Sequence, residues 1–258
     1  MERDWKIAGE SIIGTSHERV GGRCEDAWSF AKLEDDNQYC LGICVSDGAG
    51  SAPKGWIGAE AASRLVAEWL TTSFDTLYCG DDDLWRKSLW KHVRKPLDIM
   101  SSRSGSKLKD YACTVVSSVV HSDGRWMVVH IGDGAIVGRF EDGFRILSYP
   151  AKGEHANETY FLTDMLFYDS ASLMKGNLED ESGALTGLAL FSDGLESSLI
   201  SKSDGQVAPA VIQMLGWLDE QKASDVQSAL QKNLTDVFRP LTSDDCTIVI
   251  ATKAHTSR

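Results

Sequence analysis

Acidic residues stand at the ends of five apolar, strand-like runs of this chain, and a glycine directly follows three of them. Carboxylates that a fold brings together repel one another unless a cation lies among them, and oxygen ligands of this kind suit Mg²⁺ or Mn²⁺. A single Asp-Gly pair is more often an ordinary turn, but five such sites favour a carboxylate-rich metal centre. The acids concerned are Glu25, Asp26, Asp47, Asp133, Asp193, Asp244 and Asp245.

Asp133 is open to two interpretations of about equal weight. It lies in Gly132-Asp133-Gly134 between two strand-like runs, so it could be a metal ligand or merely the tip of a hairpin turn. For Asp47, Asp193 and Asp244 the interpretation as metal ligands is the stronger one, because each stands beside a run with the apolar character of a buried strand.

The composition describes an acidic, globular chain. Its 258 residues are 42% hydrophobic and include eight tryptophans, which is enough for a sizeable core. A formal net charge of −12 without an evident basic stripe argues against nucleic-acid binding and against adhesion to an anionic membrane. The first residues lack the apolar run of a signal peptide, and the six cysteines form no Cys-x-x-Cys pair, so we expect a cytoplasmic protein with reduced thiols.

Hydrophobic periodicity predicts the elements that must position these acids. Strands are predicted over residues 5–13, 27–33, 39–46, 111–120, 125–131, 135–140, 144–148, 187–192 and 246–251. Helices are predicted over 55–72, from Asp81 to a kink or end at Pro96, as a short helix from Gly194, and around 207–218 and 226–237. The strands from 111 to 148 suggest an antiparallel meander, whereas 149–186 suggests a surface excursion. The acids can meet only if the first and last strands are neighbours, which favours one domain.

Six motifs, in this order, resemble the bacterial, single-domain form of the metal-dependent type 2C protein serine/threonine phosphatases. They are Cys24-Glu25-Asp26-Ala27, Val45-Ser46-Asp47-Gly48-Ala49-Gly50, Ala112-Cys113-Thr114, Ile131-Gly132-Asp133-Gly134, Phe191-Ser192-Asp193-Gly194-Leu195 and Asp244-Asp245-Cys246-Thr247. The resemblance implies an α+β fold over residues 1–258, a four-layer α-β-β-α sandwich of two antiparallel sheets flanked by helix pairs.

The resemblance also implies two Mn²⁺ or Mg²⁺ ions, with a weaker third seen in many relatives, that activate a water for attack on phosphorus. Asp47 matches the carboxylate that bridges the two ions, and Asp193 and Asp244 match further ligands of one ion. The implied ligands of the other ion are Glu25 and the carbonyl of Gly48. Asp26 matches a residue beside that ion that holds a water, and Asp133 with Asp193 matches the third-metal position.

The implied activity is hydrolysis of phosphoserine or phosphothreonine in proteins, with a cognate kinase or its targets as substrates and a monomeric enzyme. Two positions depart from the pattern. Gly21 occupies the place of an arginine that grips the phosphate, so we expect Arg23 to take that role, with Arg19 and His17 as alternatives in the same loop. Eukaryotic members often have a histidine directly after the Asp-Gly motif, and this chain has Ala49 there, as many bacterial relatives have. A pseudophosphatase that acts as a sensor or scaffold, and a hydrolase of small phosphate esters, remain the alternatives.

Overall fold

The computed structural model describes residues 5–34, 38–149, 159–165, 167, 171–178, 183–201 and 205–253. Within this part the strands form two five-stranded sheets in which every pairing is antiparallel. The first sheet has the order β1-β10-β9-β6-β7 and the second the order β2-β3-β4-β5-β8. Their bounds are β1 Trp5–Ile12, β2 Asp26–Glu34, β3 Tyr39–Asp47, β4 Val115–His121, β5 Trp126–Ile131, β6 Ala135–Phe140, β7 Gly143–Ser148, β8 Ser172–Gly176, β9 Leu185–Phe191 and β10 Cys246–Lys253.

Helices cover the outer face of each sheet. Their bounds are α1 Thr15–Arg19, α2 Gly55–Thr72, α3 Phe74–Cys79, α4 Asp82–Leu89, α5 Lys95–Arg103, α6 Asp193–Leu199, α7 Pro209–Glu220 and α8 Ala223–Asn233. Helix α2 packs on the second sheet together with buried side chains of α4 and α5, and α7 and α8 pack on the first sheet. Among the described residues, no helix combines the length and the apolar composition that a membrane crossing requires.

The alternation of side chains along the central strands separates three apolar layers. In β3, Leu41 and Ile43 face the other sheet, whereas Cys40 and Cys44 face the helices. In β10, Val249 faces the space between the sheets. Both strands are almost fully buried, which explains why each appears in the sequence as a continuous apolar run. The result is the four-layer sandwich that the sequence motifs implied.

The first and last strands are neighbours, as the convergence of the acids requires: β1 pairs with β10 along its whole length. The predicted meander is confirmed for the antiparallel pairs β4–β5 and β6–β7. It is wrong at its middle turn, because β5 and β6 belong to different sheets and the chain crosses between the sheets at residues 132–134. The predicted excursion at 149–186 contains the edge strand β8, and residues 150–158, 166, 168–170 and 179–182 of it lie outside the described residues.

Three local features of the structure differ from the elements that the sequence predicts. The segment predicted as the start of a strand at 111 belongs to a 3₁₀ turn, Leu108–Tyr111, so β4 begins only at Val115. The short helix α3 was not predicted. The helix from Asp82 does not end at Pro96. A π-helical turn, Trp90–Arg94, precedes the proline, and α5 continues beyond it. A proline has no N–H to donate, so a local change of hydrogen bonding is expected there.

Gly194 offers a test of how closely the strand ends pack. A Cβ atom at this position would lie 2.0 Å from the backbone oxygen of Asp245. We expect Gly194→Ala to lower the free energy of unfolding by about 2–3 kcal/mol, because the backbone segments must move apart. Gly216→Ala, on the open side of α7, should be neutral or stabilise the helix by about 0.5–1 kcal/mol. Urea unfolding of both variants measures the difference, and equal effects would contradict the predicted close packing.

Candidate metal centre

Three aspartates from both sheets come together at one edge of the sandwich. One carboxylate oxygen from each of Asp47, Asp133 and Asp193 lies within 4.8 Å of the other two, and all three residues are partly exposed. Asp47 ends β3, Asp133 lies on the crossing between the sheets, and Asp193 begins α6 directly after β9. The structure thus gathers residues that are 146 positions apart in the sequence, from 47 to 193.

Asp47 is fixed by its backbone. Its N–H donates to Thr114 Oγ1 at 3.0 Å, and its carbonyl accepts from the Thr114 N–H at 2.9 Å. The next residue, Gly48, donates its N–H to the Glu25 carbonyl at 3.1 Å. A Cβ at Gly48 would lie 2.4 Å from the carbonyl carbon of Gly55, so only glycine fits at this position without moving the backbone.

Asp26 joins the two sheets beside Asp47. It is the register partner of Asp47 at the end of the β2–β3 ladder and is buried. Ser192, which follows β9 of the other sheet, donates its hydroxyl to Asp26 Oδ2 at 2.7 Å. The same hydroxyl accepts the N–H of Thr247 at 3.1 Å. A single serine hydroxyl therefore holds strand ends of both sheets against the acidic cluster.

Asp133 is brought into the cluster by the backbone of the crossing. Gly132 and Gly134 have φ values of 97° and 95°, a conformation that favours glycine. Thr159 Oγ1 donates to Asp133 Oδ2 at 2.8 Å. His130 lies within 3.4 Å of the Asp133 carbonyl through Nε2, and its burial lowers the pKa of the imidazole. Because β5 and β6 lie in different sheets, the interpretation of this motif as the tip of a hairpin between them is wrong.

Burial and mutual repulsion raise the pKa values of the clustered carboxyls. Burial and the charge of Asp133 raise the pKa of Asp193 to about 7. Burial raises the pKa of Asp26 to about 7 as well. The pKa of Asp47 is raised well above its usual range by burial and then by the charges of Asp26 and Asp193. Negative charge at this edge is therefore costly unless a cation compensates it.

Asp244 and Glu25 flank the cluster and are not among the three aspartates within 4.8 Å. The charge of Asp244 contributes to the raised pKa values of Asp47, Asp193 and Glu25, so these groups share one electrostatic neighbourhood. The pKa of Glu25 itself is raised, first by burial. A Cβ at Gly194 would lie 3.4 Å from the Asp244 Cβ, and the Glu25 carbonyl accepts the Gly48 N–H at 3.1 Å. Each of these two acids therefore adjoins the residue that follows a clustered aspartate.

A buried carboxylate that the sequence motifs left without a role organises the loop before β2. Asp245 is 1% exposed and accepts the N–H groups of Gly14 and Glu25, both at 2.6 Å. Its Oδ2 also lies 3.0 Å from His17 Nδ1. The sequence feature that could have pointed to Asp245 is its position beside Asp244 in the last motif. Asp245 therefore ties residues 14–25 to the start of β10.

His17 lies beside Glu25. Its Nε2 and the Glu25 Oε2 lie 3.9 and 3.8 Å from the position that a Cβ of Gly50 would take, so both border the same space. Burial lowers the pKa of His17, but the hydrogen bond and the charge of Asp245 outweigh it, and the pKa is raised overall. Arg23 is exposed, with its guanidinium 4.1 Å from the centre of the Trp56 ring, and its charge lowers the pKa of Glu25 against the effect of burial.

The donor set fits a hard divalent cation. Glu25 Oε2 and Asp193 Oδ1 are buried and have no hydrogen-bond partner within the described part of the chain. Unpartnered buried carboxylate oxygens are rare in proteins unless a cation satisfies them. Carboxylate oxygens are the ligands that Mg²⁺ and Mn²⁺ prefer.

The fold and this cluster together define a two-sheet sandwich protein with a candidate divalent-metal centre at the strand ends. The chain belongs to the protein phosphatase 2C family: the sequence model of that family, described as "Protein phosphatase 2C", matches residues 13–238. The protein is accordingly a protein phosphatase of this family, as its motifs predicted. The matched range contains the three clustered aspartates and ends before Asp244.

Known phosphatases are similar to this chain in sequence and in structure. The chain is 28% identical over 202 residues to Serine/threonine-protein phosphatase 3 of Escherichia coli K12, covering 78% of this chain and 77% of that protein. A bacterial serine phosphatase structure superposes with a TM-score of 0.62 at 17% identity, covering 99% and 100% of the two chains. Stp1 from Staphylococcus aureus gives 0.59 at 16% identity, covering 98% and 96%. At such identities the two structures show the fold alone.

The raised pKa values predict an unusual pH dependence of stability for the metal-free protein. The Asp193 carboxyl has a pKa of about 7 in the folded chain and a reference pKa of 3.8 in the unfolded chain. Between these pH values the folded state binds more protons than the unfolded state, so the stability falls as the pH rises. We expect metal-free Asp193→Asn to unfold at a higher temperature than the metal-free parent at pH 7.5, a gain on the order of 1–3 kcal/mol that disappears near pH 4.

The same variant should lose most of the thermal stabilisation that added Mn²⁺ gives to the parent protein. Differential scanning calorimetry with and without Mn²⁺, at pH 4 and pH 7.5, measures both effects. Asp236→Asn, an exposed acid after α8, is the control and should change neither. A metal-free Asp193→Asn protein that is less stable than the parent at pH 7.5 would contradict the predicted repulsion.

Proposed function

We propose that the protein hydrolyses phosphoserine and phosphothreonine monoesters in proteins, with Mn²⁺ or Mg²⁺ held by the acidic cluster. The observation that carries this proposal is the convergence of Asp47, Asp133 and Asp193 from both sheets into one partly desolvated cluster. Membership of the protein phosphatase 2C family supports the reaction class, and the name of the E. coli relative supports serine and threonine as the phosphorylated residues.

The residues that would hold two ions are those implied by the motifs. Asp47 is proposed to bridge them, with Asp193 and Asp244 on one side and Glu25 and the Gly48 carbonyl on the other, and Asp133 with Asp193 offers a third position. When bound, the cations would compensate the charge of the phosphate and lower the pKa of a water towards neutrality.

The protein's own groups would position what the ions bind. Asp26 lies against Asp47 and keeps its orientation through the Ser192 hydroxyl, so it is proposed to accept a hydrogen bond from the attacking water. Thr159 orients Asp133 in the same way from the segment on the other side of the cluster. Because these acids sit on strand ends, their spacing is set by the two sheets rather than by flexible loops.

Arg23 is proposed to bind the phosphate. Its charge already acts on Glu25, and the Trp56 ring holds its guanidinium in place at the edge of the site. His17 is the second candidate, because its Nε2 borders the same space as Glu25 while Asp245 fixes the ring through Nδ1.

Two alternatives stay open and differ in what they predict. A pseudophosphatase would bind Mn²⁺ without turnover, and the glycine at position 21 is the feature that favours it. A hydrolase of small phosphate esters would turn over aryl phosphates but no phosphopeptide. The substrates are proposed to be a cognate serine/threonine kinase or its targets in the cytoplasm, since a phosphoprotein hydrolase requires a kinase that supplies its substrates. The 1–258 chain is proposed to act as a monomeric single domain.

The first test is metal-dependent turnover. We expect the protein with Mn²⁺ to hydrolyse an aryl phosphate and phosphoserine peptides, and EDTA to abolish both activities. Asp47→Asn should lower kcat by about 10²- to 10³-fold or more, because the proposed bridging charge is lost. Asp236→Asn should retain the parent activity. Metal binding without any turnover would favour the pseudophosphatase, and turnover of aryl phosphate alone would favour the small-ester hydrolase.

The second test separates the two phosphate-binding candidates. Arg23→Gln should lower kcat/KM for aryl phosphate by about 10- to 100-fold, the effect of losing one hydrogen bond to a charged group. Arg19, the further alternative that the sequence offers, is exposed at the end of α1, and Arg19→Gln should have little effect. A large loss in His17→Gln together with an unchanged Arg23→Gln would assign phosphate binding to the histidine instead.

A further inference from the structure

Positive charge is concentrated in one stretch of this acidic chain. Residues 86–109 contain eight of the 26 lysines and arginines but a single acid, Asp98, although the whole chain has a net charge of −12. The expectation that no basic stripe exists, drawn from the net charge, is therefore wrong for this stretch. We call residues 86–109 the basic stretch. It includes the end of α4, the π-helical turn, α5 and the first two residues of the 3₁₀ turn Leu108–Tyr111, and Asp110 follows it directly.

Most of these cations are exposed and lack acidic partners. The exposed basic side chains are Lys87, Lys91, His92, Lys95, Arg103, Lys107 and Lys109. Lys87 pairs with Asp83 on the same helix at 2.5 Å. Among the described residues, no ion pair engages the other six. The charges of the five lysines and arginines among these six residues are thus available to a partner.

The π-helical turn of the basic stretch contacts a segment that reaches the acidic cluster. Arg94 Nη2 donates to the carbonyls of Thr163 at 3.2 Å and Asp164 at 3.4 Å. Residues 159–165 also contact the acidic cluster through the hydrogen bond from Thr159 to Asp133. The π-helical turn therefore lies on a segment that itself reaches the cluster.

The C-terminal end of the basic stretch contacts the loop that leaves Asp47. Lys54 in this loop donates its N–H to the Asp110 carbonyl at 2.9 Å and its ammonium to Ser106 Oγ at 2.5 Å. Ala49, two residues after Asp47, donates its N–H to the Ala112 carbonyl at 2.9 Å. Ser106 of the basic stretch and the residues that follow the stretch thus contact the loop that begins at Asp47.

The basic stretch also exposes apolar side chains between its charges. Trp90 is 40% exposed and Ile99 is 43% exposed, and the ammonium of Lys95 lies 5.6 Å from the centre of the Trp90 ring. Exposed aromatic and basic side chains are typical of surfaces that bind protein segments. The surface therefore offers both charge and apolar contact area to a partner.

We propose that the basic stretch is a docking surface for an acidic segment of the protein substrate, near the phosphorylated residue. The proposal rests on the proposed function, because it assigns the kind of protein that the metal centre acts on. Charge complementarity selects an acidic partner. A long polyanion such as nucleic acid, or a membrane surface, would extend beyond the basic stretch onto the strongly acidic remainder of the protein, whereas a short acidic peptide segment would not.

The first experiment measures binding without turnover. A fluorescent, unphosphorylated peptide rich in Asp and Glu is titrated with metal-free protein, and fluorescence anisotropy gives Kd. The Lys91→Gln/Lys95→Gln variant should bind about three- to thirtyfold more weakly, the loss of two exposed charge interactions. The Lys222→Gln/Lys232→Gln variant has the same net charge, with both changes on exposed residues at α8, and should bind like the parent. Equal losses in the two variants would overturn the proposal.

The second experiment separates this proposal from the proposed function. With Mn²⁺, the Lys91→Gln/Lys95→Gln variant should show a higher KM for a phosphopeptide with acidic flanks, while aryl phosphate hydrolysis stays unchanged. The KM for a phosphopeptide with neutral flanks should be the same in the parent protein and in both variants. Normal turnover of aryl phosphate together with an unchanged KM for the acidic phosphopeptide would overturn the docking surface but not the proposed function. The docking surface would also be overturned if the Lys91→Gln/Lys95→Gln variant lost binding to anionic vesicles or RNA instead of binding to the acidic peptide. Absence of all turnover would instead contradict the proposed function, and the anisotropy result would still decide the docking surface.

Discussion

Repulsion among desolvated carboxylates is the constraint around which this edge of the sandwich is built. The pKa values of Asp26 and Asp193 rise to about 7, and that of Asp47 rises well above its usual range, because burial and neighbouring charges oppose ionisation. A fold that keeps such groups together either holds protons there or binds cations. The unpartnered oxygens of Glu25 and Asp193 favour cations, since a protonated carboxyl would still need a hydrogen-bond acceptor.

The two sheets supply the rigidity that resists this repulsion. Ser192 joins β9 of one sheet to Asp26 of the other, and Asp245 joins the loop before β2 to β10 through two backbone N–H groups. Neither residue belongs to the three-aspartate cluster. Each instead fixes the backbone from which cluster residues project. Charge-assisted hydrogen bonds of this kind are strong when buried, and they hold the acids at a spacing that free loops would relax.

The sequence was sufficient to predict the strand ends because buried strands appear as apolar runs and the acids interrupt them. It was also sufficient for the sandwich, through motifs that occur in a fixed order. It was insufficient where the outcome depends on which strands pair. Gly132-Asp133-Gly134 has the same local pattern as a hairpin turn, and only the assignment of β5 and β6 to different sheets turns it into a crossing. The edge strand β8 is half-exposed, so its apolar signal is weak. The pairing of Asp245 with His17 spans 228 positions, a distance at which periodicity gives no information.

The distribution of charge outside the cluster has its own logic. A phosphatase substrate is an anion, and most of the surface of a chain with a net charge of −12 repels it. Salt screens exposed charges beyond about 8–10 Å, so only the charges that lie near a bound substrate act on it strongly. The basic stretch contacts segments that border the cluster, so it can hold an acidic segment of a substrate close to the metal centre. The basic stretch therefore favours, as substrates, proteins with acidic segments near the phosphorylated residue over other phosphate esters. The acidic surface around the basic stretch limits the length of polyanion that can bind.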